Sequence, residues 1–446
     1  MFTACTIVSK NYLAYARVLA ESFRAHHPDG RFVVLLVDRI DGHFDADAEP
    51  FEVLEIEQLA DRVDDLAGFL FQYTLLEANT AIKPTLLAHL FDQGADPLIY
   101  FDPDILIARP LDRLRAALDD ASVVLTPHLT APIDDDHHPD ELAILQAGTY
   151  NLGFVALRSD DVGRALVAWW ADRLRDCCIV RIEDGLFVDQ KWMDLAPGLH
   201  PGVRVLRDPG HNVAYWNLHG RTVLRDGDAA VDDPAGYRVV DRAGVEVPLA
   251  FFHFSGIDPD RLGPVSKHQD RFQLDDLGDA ADLYRLYRDR VLAAGHADCR
   301  PWPYAFARFR PDGLADRGAA PDGPRIPDVA RRLYLDQGAR RARFGDPFAL
   351  PASADRPAAG SADDAAASDA NFYAWLQQPA PGGRLSRLLV HLHALRPDLQ
   401  RLYPDPGGRD RADFGAWAHE FGRHEWRLDP PFLAGLPSPS RADLLT

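Results

Sequence analysis

Residues 98 to 107 read Leu98-Ile99-Tyr100-Phe101-Asp102-Pro103-Asp104-Ile105-Leu106-Ile107, two carboxylates inside an otherwise apolar run. Leu98 to Phe101 has the composition of a buried strand, and Pro103 cannot donate to a ladder, so regular pairing should stop at the aspartates. In open α/β sheets ligands bind outside the carboxyl ends of the strands, which is where Asp102 and Asp104 would then lie. Two carboxylates this close repel one another unless one is protonated or a cation lies between them. Hard oxygen ligands suit Mg²⁺ or Mn²⁺, whose remaining positions substrate phosphates commonly fill. Asp-Pro-Asp is also ordinary turn chemistry, so the motif alone leaves a purely structural turn open.

The flanking sequence alternates strands and helices. Cys5 to Val8 and Arg31 to Val37 are apolar runs separated by Tyr12, Tyr15, Ala16, Leu19 and Phe23 at helical spacing, and Phe51 to Ile56 alternates as a third strand. Pro84 suits the first turn of a helix stopped at Gly94, which delivers the chain to the Asp102 strand. Further strands are expected at 122–126, 152–157, 203–206, 237–240 and 247–254, and helices at 162–174 and around Leu283 to Val291. This order predicts an α/β fold with a mostly parallel sheet flanked by helices. Pro351 to Ala370 offers little that could be buried, and apolar periodicity returns from Phe372. The expected division is therefore a first domain over 1–310, a Pro-, Ala- and Asp-rich linker over 311–370 and a small helical module over 371–446.

Charge narrows the partners. Against 68 acidic residues stand 48 Lys and Arg, a formal charge of −20 without a basic cluster long enough to track a phosphate backbone, so nucleic acid is not expected as a partner. An anionic small substrate remains compatible if a metal or local cations reverse the field in the cleft. Cys5, Cys177, Cys178 and Cys299 lack C-x-x-C spacing and read as reduced thiols. No signal-peptide core or span of roughly 18 apolar residues is evident, which predicts a cytoplasmic protein, peripheral to a membrane only through its acceptor.

Four more motifs follow in order: Tyr150-Asn151-Leu152-Gly153-Phe154, Asp189-Gln190, His211-Asn212 with Trp216-Asn217, and His253-Phe254-Ser255-Gly256. With the opening strand and helix and the Asp102-Pro103-Asp104 turn, the first, second and last of these resemble the GT-A glycosyltransferases, most closely the retaining glycogenin-like and bacterial lipopolysaccharide galactosyltransferase group, over roughly residues 3 to 290. The tail also looks like a helical segment appended to some bacterial glycosyltransferases of polysaccharide assembly. The resemblance implies a GT-A domain in which Asp102, Asp104 and His253 ligate Mn²⁺ or Mg²⁺ and a nucleotide-diphosphate-sugar donor completes the shell. It implies Asn151 and Gly153 beside the donor sugar, and Asp189 and Gln190 near the anomeric carbon as catalytic residues. Thr6, Ser9 and Tyr12 would grip base and ribose, and Lys83 is a basic position ahead of the aspartate strand. Where the pattern has Lys-Pro-Trp closely after the His-Phe-x-Gly motif, this chain has Lys267 in Ser-Lys-His-Gln after an intervening Asp258-Pro259-Asp260. Lys267 is the candidate phosphate clamp, reaching in from a longer loop. His211, Asn212, Trp216 and Asn217 either line the acceptor side, where a glycan, a lipid-linked glycan or a protein would bind, or equally make a bare aromatic core turn.

Retention comes from the resemblance alone; an inverting enzyme would use a carboxylate such as Asp189 as general base on the acceptor. A phosphohydrolase also uses paired aspartates after a strand, but Leu106 stands where that chemistry wants Thr or Val, and its other motifs are not evident. A sugar-binding or scaffold protein that keeps the fold is the non-enzymatic alternative.

Overall fold

A computed structural model describes residues 2–315, 323–351 and 370–437. The chain divides into two compact units, Met1–Val63 with Leu75–Tyr304, and Asp64–Thr74 with Ala305–Thr446. The strands, all in the first unit, are β1 (Thr3–Val8), β2 (Arg31–Leu36), β3 (Glu52–Glu55), β4 (Leu98–Phe101), β5 (Ile105–Ile107), β6 (Val123–Pro127), β7 (Tyr150–Leu157), β8 (Val180–Arg181), β9 (Leu186–Phe187), β10 (Val203–Val205), β11 (Arg221–Arg225), β12 (Tyr237–Asp241), β13 (Glu246–Pro248) and β14 (Phe251–His253).

Seven of them form one sheet in the order β10-β6-β7-β4-β1-β2-β3. Every neighbour pairs parallel except β7, which runs antiparallel to both β4 and β6. The α/β class with a mostly parallel sheet is therefore what the chain adopts. β1, β4 and most of β2 and β7 are buried, which accounts for their near-continuous apolar sequence. The helix Leu13–His26 buries Leu13, Tyr15, Val18, Leu19 and Phe23. Lys83–Asp92 begins with Pro84 and is followed by Gly94 at φ 87°, a backbone position that favours glycine. β11, β12 and β13 make an antiparallel meander, while β5 and β14 form a separate two-stranded ribbon. All four cysteines are free. Among the described residues no helix is long and apolar enough to cross a membrane.

The second unit draws in a piece of early sequence. The helix Leu66–Gln72 places Phe71 in an aromatic cluster with Phe309, Tyr334, Phe348 and Phe372, at ring separations of 5.1 to 5.7 Å. The buried Arg331 guanidinium donates to the carbonyls of Leu70, Phe71 and Tyr73, satisfying groups that a helix end leaves open. Arg331 belongs to the helix Asp328–Asp336, which forms inside the stretch expected as linker because Val329, Ala330, Leu333 and Tyr334 supply a buried stripe. Residues 316–322 and 352–369, both within that expected linker, and 438–446, the end of the expected helical module, lie outside the described residues. The module's helices Phe372–Gln377, Arg387–Ala394, Pro397–Leu402 and Arg411–Trp417 follow.

Candidate metal centre

Asp102 and Asp104 stand on a turn at the carboxyl end of β4. The Ile105 N–H donates to the Asp102 carbonyl at 3.2 Å with Pro103 between them, so the local chemistry of Asp-Pro-Asp does make a turn. Asp102 stays tied to the sheet through its N–H, 2.7 Å from the Gly153 carbonyl on β7. Beyond the turn the chain leaves the sheet as β5, and its pairing with β14 sets His253 opposite Ile105. Phe254 N–H donates to the Asp104 carbonyl at 2.8 Å. As a result His253 Nε2 lies 3.0 Å from Asp104 Oδ1 and 3.9 Å from Asp102 Oδ2. One potential ligand atom from each of the three residues lies within 4.8 Å of the others.

Three features suit this donor set to a divalent ion. Asn212 Oδ1 lies 3.3 Å from His253 Nδ1, so a proton on Nδ1 leaves Nε2 with a lone pair toward the carboxylates. Gly153 leaves the cradle open, because a Cβ there would come 2.3 Å from His253 Cε1 and 2.8 Å from Asp102 Oδ2. Burial works against a charged imidazole, yet Asp104 and then Asp102 outweigh it and hold His253 above its ordinary value. The potential at this point favours a positive charge. Two carboxylates and one imidazole would accept Mn²⁺ more readily than the oxygen-preferring Mg²⁺.

A buried polar network fixes His253 through Asn212. Asn212 Nδ2 donates to Thr126 Oγ1 at 2.8 Å and to Asn151 Oδ1 at 3.0 Å. Thr126 lies where the β6–β7 register shifts, between Leu125 and Pro127, an irregularity of the kind that re-aims a side chain. Asn217 Nδ2 holds the Asn212 carbonyl at 3.0 Å, and Trp216 meets the His253 ring edge-on at 5.0 Å. Asn212 and Trp216 thus contact His253, with Asn217 holding Asn212 from behind, whereas His211 pairs with Asp208 at 3.0 Å and packs against Phe251. The Asn151 amide is engaged inside the protein, with Asn212, with Gly153 N–H at 3.2 Å and with His128 Nε2 at 3.3 Å.

His128 carries no motif, and nothing in the sequence singled it out. Burial, the largest influence, pulls its imidazole down to about 4. An unfolded histidine titrates near ~6.5, so between these values the unfolded chain takes up a proton that the folded one does not. Stability should therefore fall as pH is lowered from about 6.5 to about 4, by roughly 3 kcal/mol for this one group. His128→Gln is expected to flatten that part of the profile. Urea-unfolding free energies of both proteins at pH 7, 6 and 5 check it, and equal slopes would count against the effect.

A second chain of contacts runs from Asp102 to Asp189. Tyr100 hydroxyl donates to Asp102 Oδ1 at 2.7 Å, and Lys83 Nζ sits 4.1 Å from the centre of the Tyr100 ring. Lys83 Nζ then donates to Leu152 O at 2.7 Å and to Asp189 Oδ2 at 2.5 Å, with both side chains buried. Burial raises the Asp189 carboxyl and Lys83 opposes that shift. Trp170 Nε1 donates to Asp189 O, fixing the backbone at 3.0 Å. Gln190 donates through Nε2 to Ala147 O at 2.9 Å. The sequence singled out both Lys83 and Asp189, without their pairing.

The remaining candidates lie around the carboxyl end of β1 and after β14. Thr6 Oγ1 is buried and without a hydrogen-bond partner among the described residues. Ser9 Oγ donates to Asn11 Oδ1 at 2.5 Å. Tyr12 is 41% exposed and stacks on Tyr15, with burial and then the charges of Asp104 and Asp258 pushing its hydroxyl up. The loop after Gly256 closes on itself, Lys267 N–H donating to Gly256 O at 3.1 Å. The additional residues are looped out, and the Lys267 backbone returns beside the turn that follows His253.

No family model matches the chain. It is similar to two proteins of Bacillus subtilis (strain 168): Uncharacterized protein YfnF, 26% identical over 257 residues, covering 56% of this chain and 80% of that protein, and Uncharacterized protein YfnD, 26% identical over 261 residues, covering 57% and 78%. Among solved structures it is similar to galactosyltransferase LgtC in complex with donor and acceptor sugar analogues, at a TM-score of 0.37 and 16% identity over 65% of this chain and 95% of that one. Mouse xyloside xylosyltransferase 1 in its apo form aligns at 0.32 and 14% identity, over 56% and 96%.

Proposed function

We propose that the chain is a GT-A glycosyltransferase that moves a sugar from a nucleotide-diphosphate donor to an acceptor hydroxyl, with Mn²⁺ before Mg²⁺ at Asp102, Asp104 and His253. The observation that supports this most is the meeting of those three side chains at the carboxyl end of β4, with Gly153 leaving room beside them. When bound, the ion would neutralise charge developing on the diphosphate leaving group. In this reading Asn212 orients His253, Lys83 holds Asp189 in place, and Asp189 and Gln190 act near the anomeric carbon. Asn151 keeps the β7 entrance in shape beside the donor sugar. Thr6, Ser9 and Tyr12 receive the nucleoside, and Lys267 meets the diphosphate. Retention at the anomeric carbon, a cytoplasmic location and a glycan, lipid-linked or protein acceptor belong to the same reading and rest on the sequence resemblance.

The test needs no knowledge of the acceptor. Nucleoside diphosphates and nucleotide-sugars are screened by thermal unfolding with and without Mn²⁺. A ligand at a hundredfold excess over its Kd stabilises the native state by about 2.7 kcal/mol. One nucleotide is expected to raise the unfolding temperature by several degrees only when Mn²⁺ is present. Saturating concentrations without any metal-dependent shift would overturn the proposal.

A further inference from the structure

The second unit contains a pocket of about 310 Å³ lined by Arg325, His419, Arg423, His424, Arg427 and Asp429 over a floor that includes Leu428 and Leu433. Three arginines and two histidines line it against a single aspartate, in a chain whose formal charge is −20. That carboxylate is already engaged, since Asp429 Oδ2 accepts from Arg325 N–H at 2.6 Å and lies 3.8 Å from Arg308 Nη1. Among the described residues, none of the Arg325, Arg423 and Arg427 guanidiniums is paired with a carboxylate. Elsewhere arginines with acidic neighbours close on them, as Arg396 does on Asp398 and Arg271 on Asp135.

The backbone around the pocket departs from regular helix in two places. His419 lies in a π-helical turn, Ala418–Gly422, and its Nε2 is buried without a hydrogen-bond partner among the described residues. Such turns inside helices recur at functional sites. Arg427 has φ 53°, a left-handed conformation that costs a side-chain-bearing residue energy and persists when something else fixes it. Both departures fall on residues that line the same cavity.

We propose that this pocket is an anion-binding site of the second unit, shaped for a diphosphate or a similarly charged phosphate ester. Guanidiniums are the side chains that best match phosphate oxygens, through parallel N–H donors. The lining holds no tyrosine, tryptophan or phenylalanine ring on which a nucleobase could stack, so the phosphate portion is what it would recognise. None of its lining residues belongs to the Asp102, Asp104 and His253 group.

The experiment is isothermal titration of inorganic pyrophosphate into the full chain, stripped of divalent ions and without added metal. The wild-type protein should bind, Arg423→Gln and Arg427→Gly should each bind at least about tenfold more weakly, and Asp104→Ala should bind as the wild type does. Arg427→Gly also carries its own control for folding. Glycine accepts the left-handed backbone, so this variant should unfold at a higher temperature than the wild type while losing affinity. The proposal fails if the wild type binds no pyrophosphate at millimolar concentration, or if both arginine variants bind it unchanged.

Discussion

Asp104→Ala is expected to unfold at a temperature close to that of the wild type and to lose sugar transfer by about a thousandfold or more, the scale of several kcal/mol of charge stabilisation at the leaving group. The fold should survive because the Asp104 side chain is 20% exposed, and its contact with the ribbon runs through its backbone carbonyl to Phe254 N–H. What goes is the carboxylate 3.0 Å from His253 Nε2, leaving Asp102 at 3.9 Å. The metal-dependent thermal shift with nucleotide should vanish together with activity. Transfer at the wild-type rate in a variant shown to be folded would remove the metal group from the mechanism.

Lys83→Met is expected to have the largest effect on stability, about 3 to 5 kcal/mol, because it leaves the Asp189 carboxylate buried beside an apolar side chain. The double variant Lys83→Met/Asp189→Leu should recover most of that loss, since it removes both buried charges together. The pH dependence of the single variant follows from the same physics. Without the ammonium, burial raises the Asp189 carboxyl further, so the folded state holds a proton that the unfolded one gives up above about 4. The deficit should therefore be smaller at pH 5 than at pH 8. Denaturant unfolding of the four proteins of the cycle at both pH values measures it, and a double variant no more stable than the single one would contradict the account. In the double variant, activity should stay low even where stability returns if Asp189 acts in transfer as proposed, separating that role from its role in the pair.

Much of the sheet was legible because its signals are local. Four apolar residues, an aspartate and a proline mark the end of β4, and Gly94 marks the helix stop before it. The antiparallel run of β7 was not legible, since Tyr150 to Leu157 reads as a buried strand in either direction. Only the family resemblance joined the Asp102-Pro103-Asp104 turn to His253; what joins them physically is the β5–β14 ribbon, and pairing between such distant segments leaves no periodic trace. The polar support was hidden for a related reason. His128, Thr126 and Tyr100 stand in apolar runs with nothing in residue type or spacing to set them apart, and their partners arrive from other strands. The helix Asp328–Asp336 was missed because a Gly- and Pro-rich neighbourhood masks a nine-residue element whose apolar stripe matters only once it is packed.

The helix Leu66–Gln72 also has a consequence during synthesis. Phe71 leaves the ribosome early, whereas Phe309, Tyr334, Phe348 and Phe372 are made more than two hundred residues later. At ordinary elongation rates of about 5 to 20 residues per second, the gap is on the order of ten to fifty seconds. For that time a short apolar helix waits on a nascent chain without the partners of its own unit. The second unit cannot assemble its aromatic cluster until Phe309, Tyr334, Phe348 and Phe372 have been made.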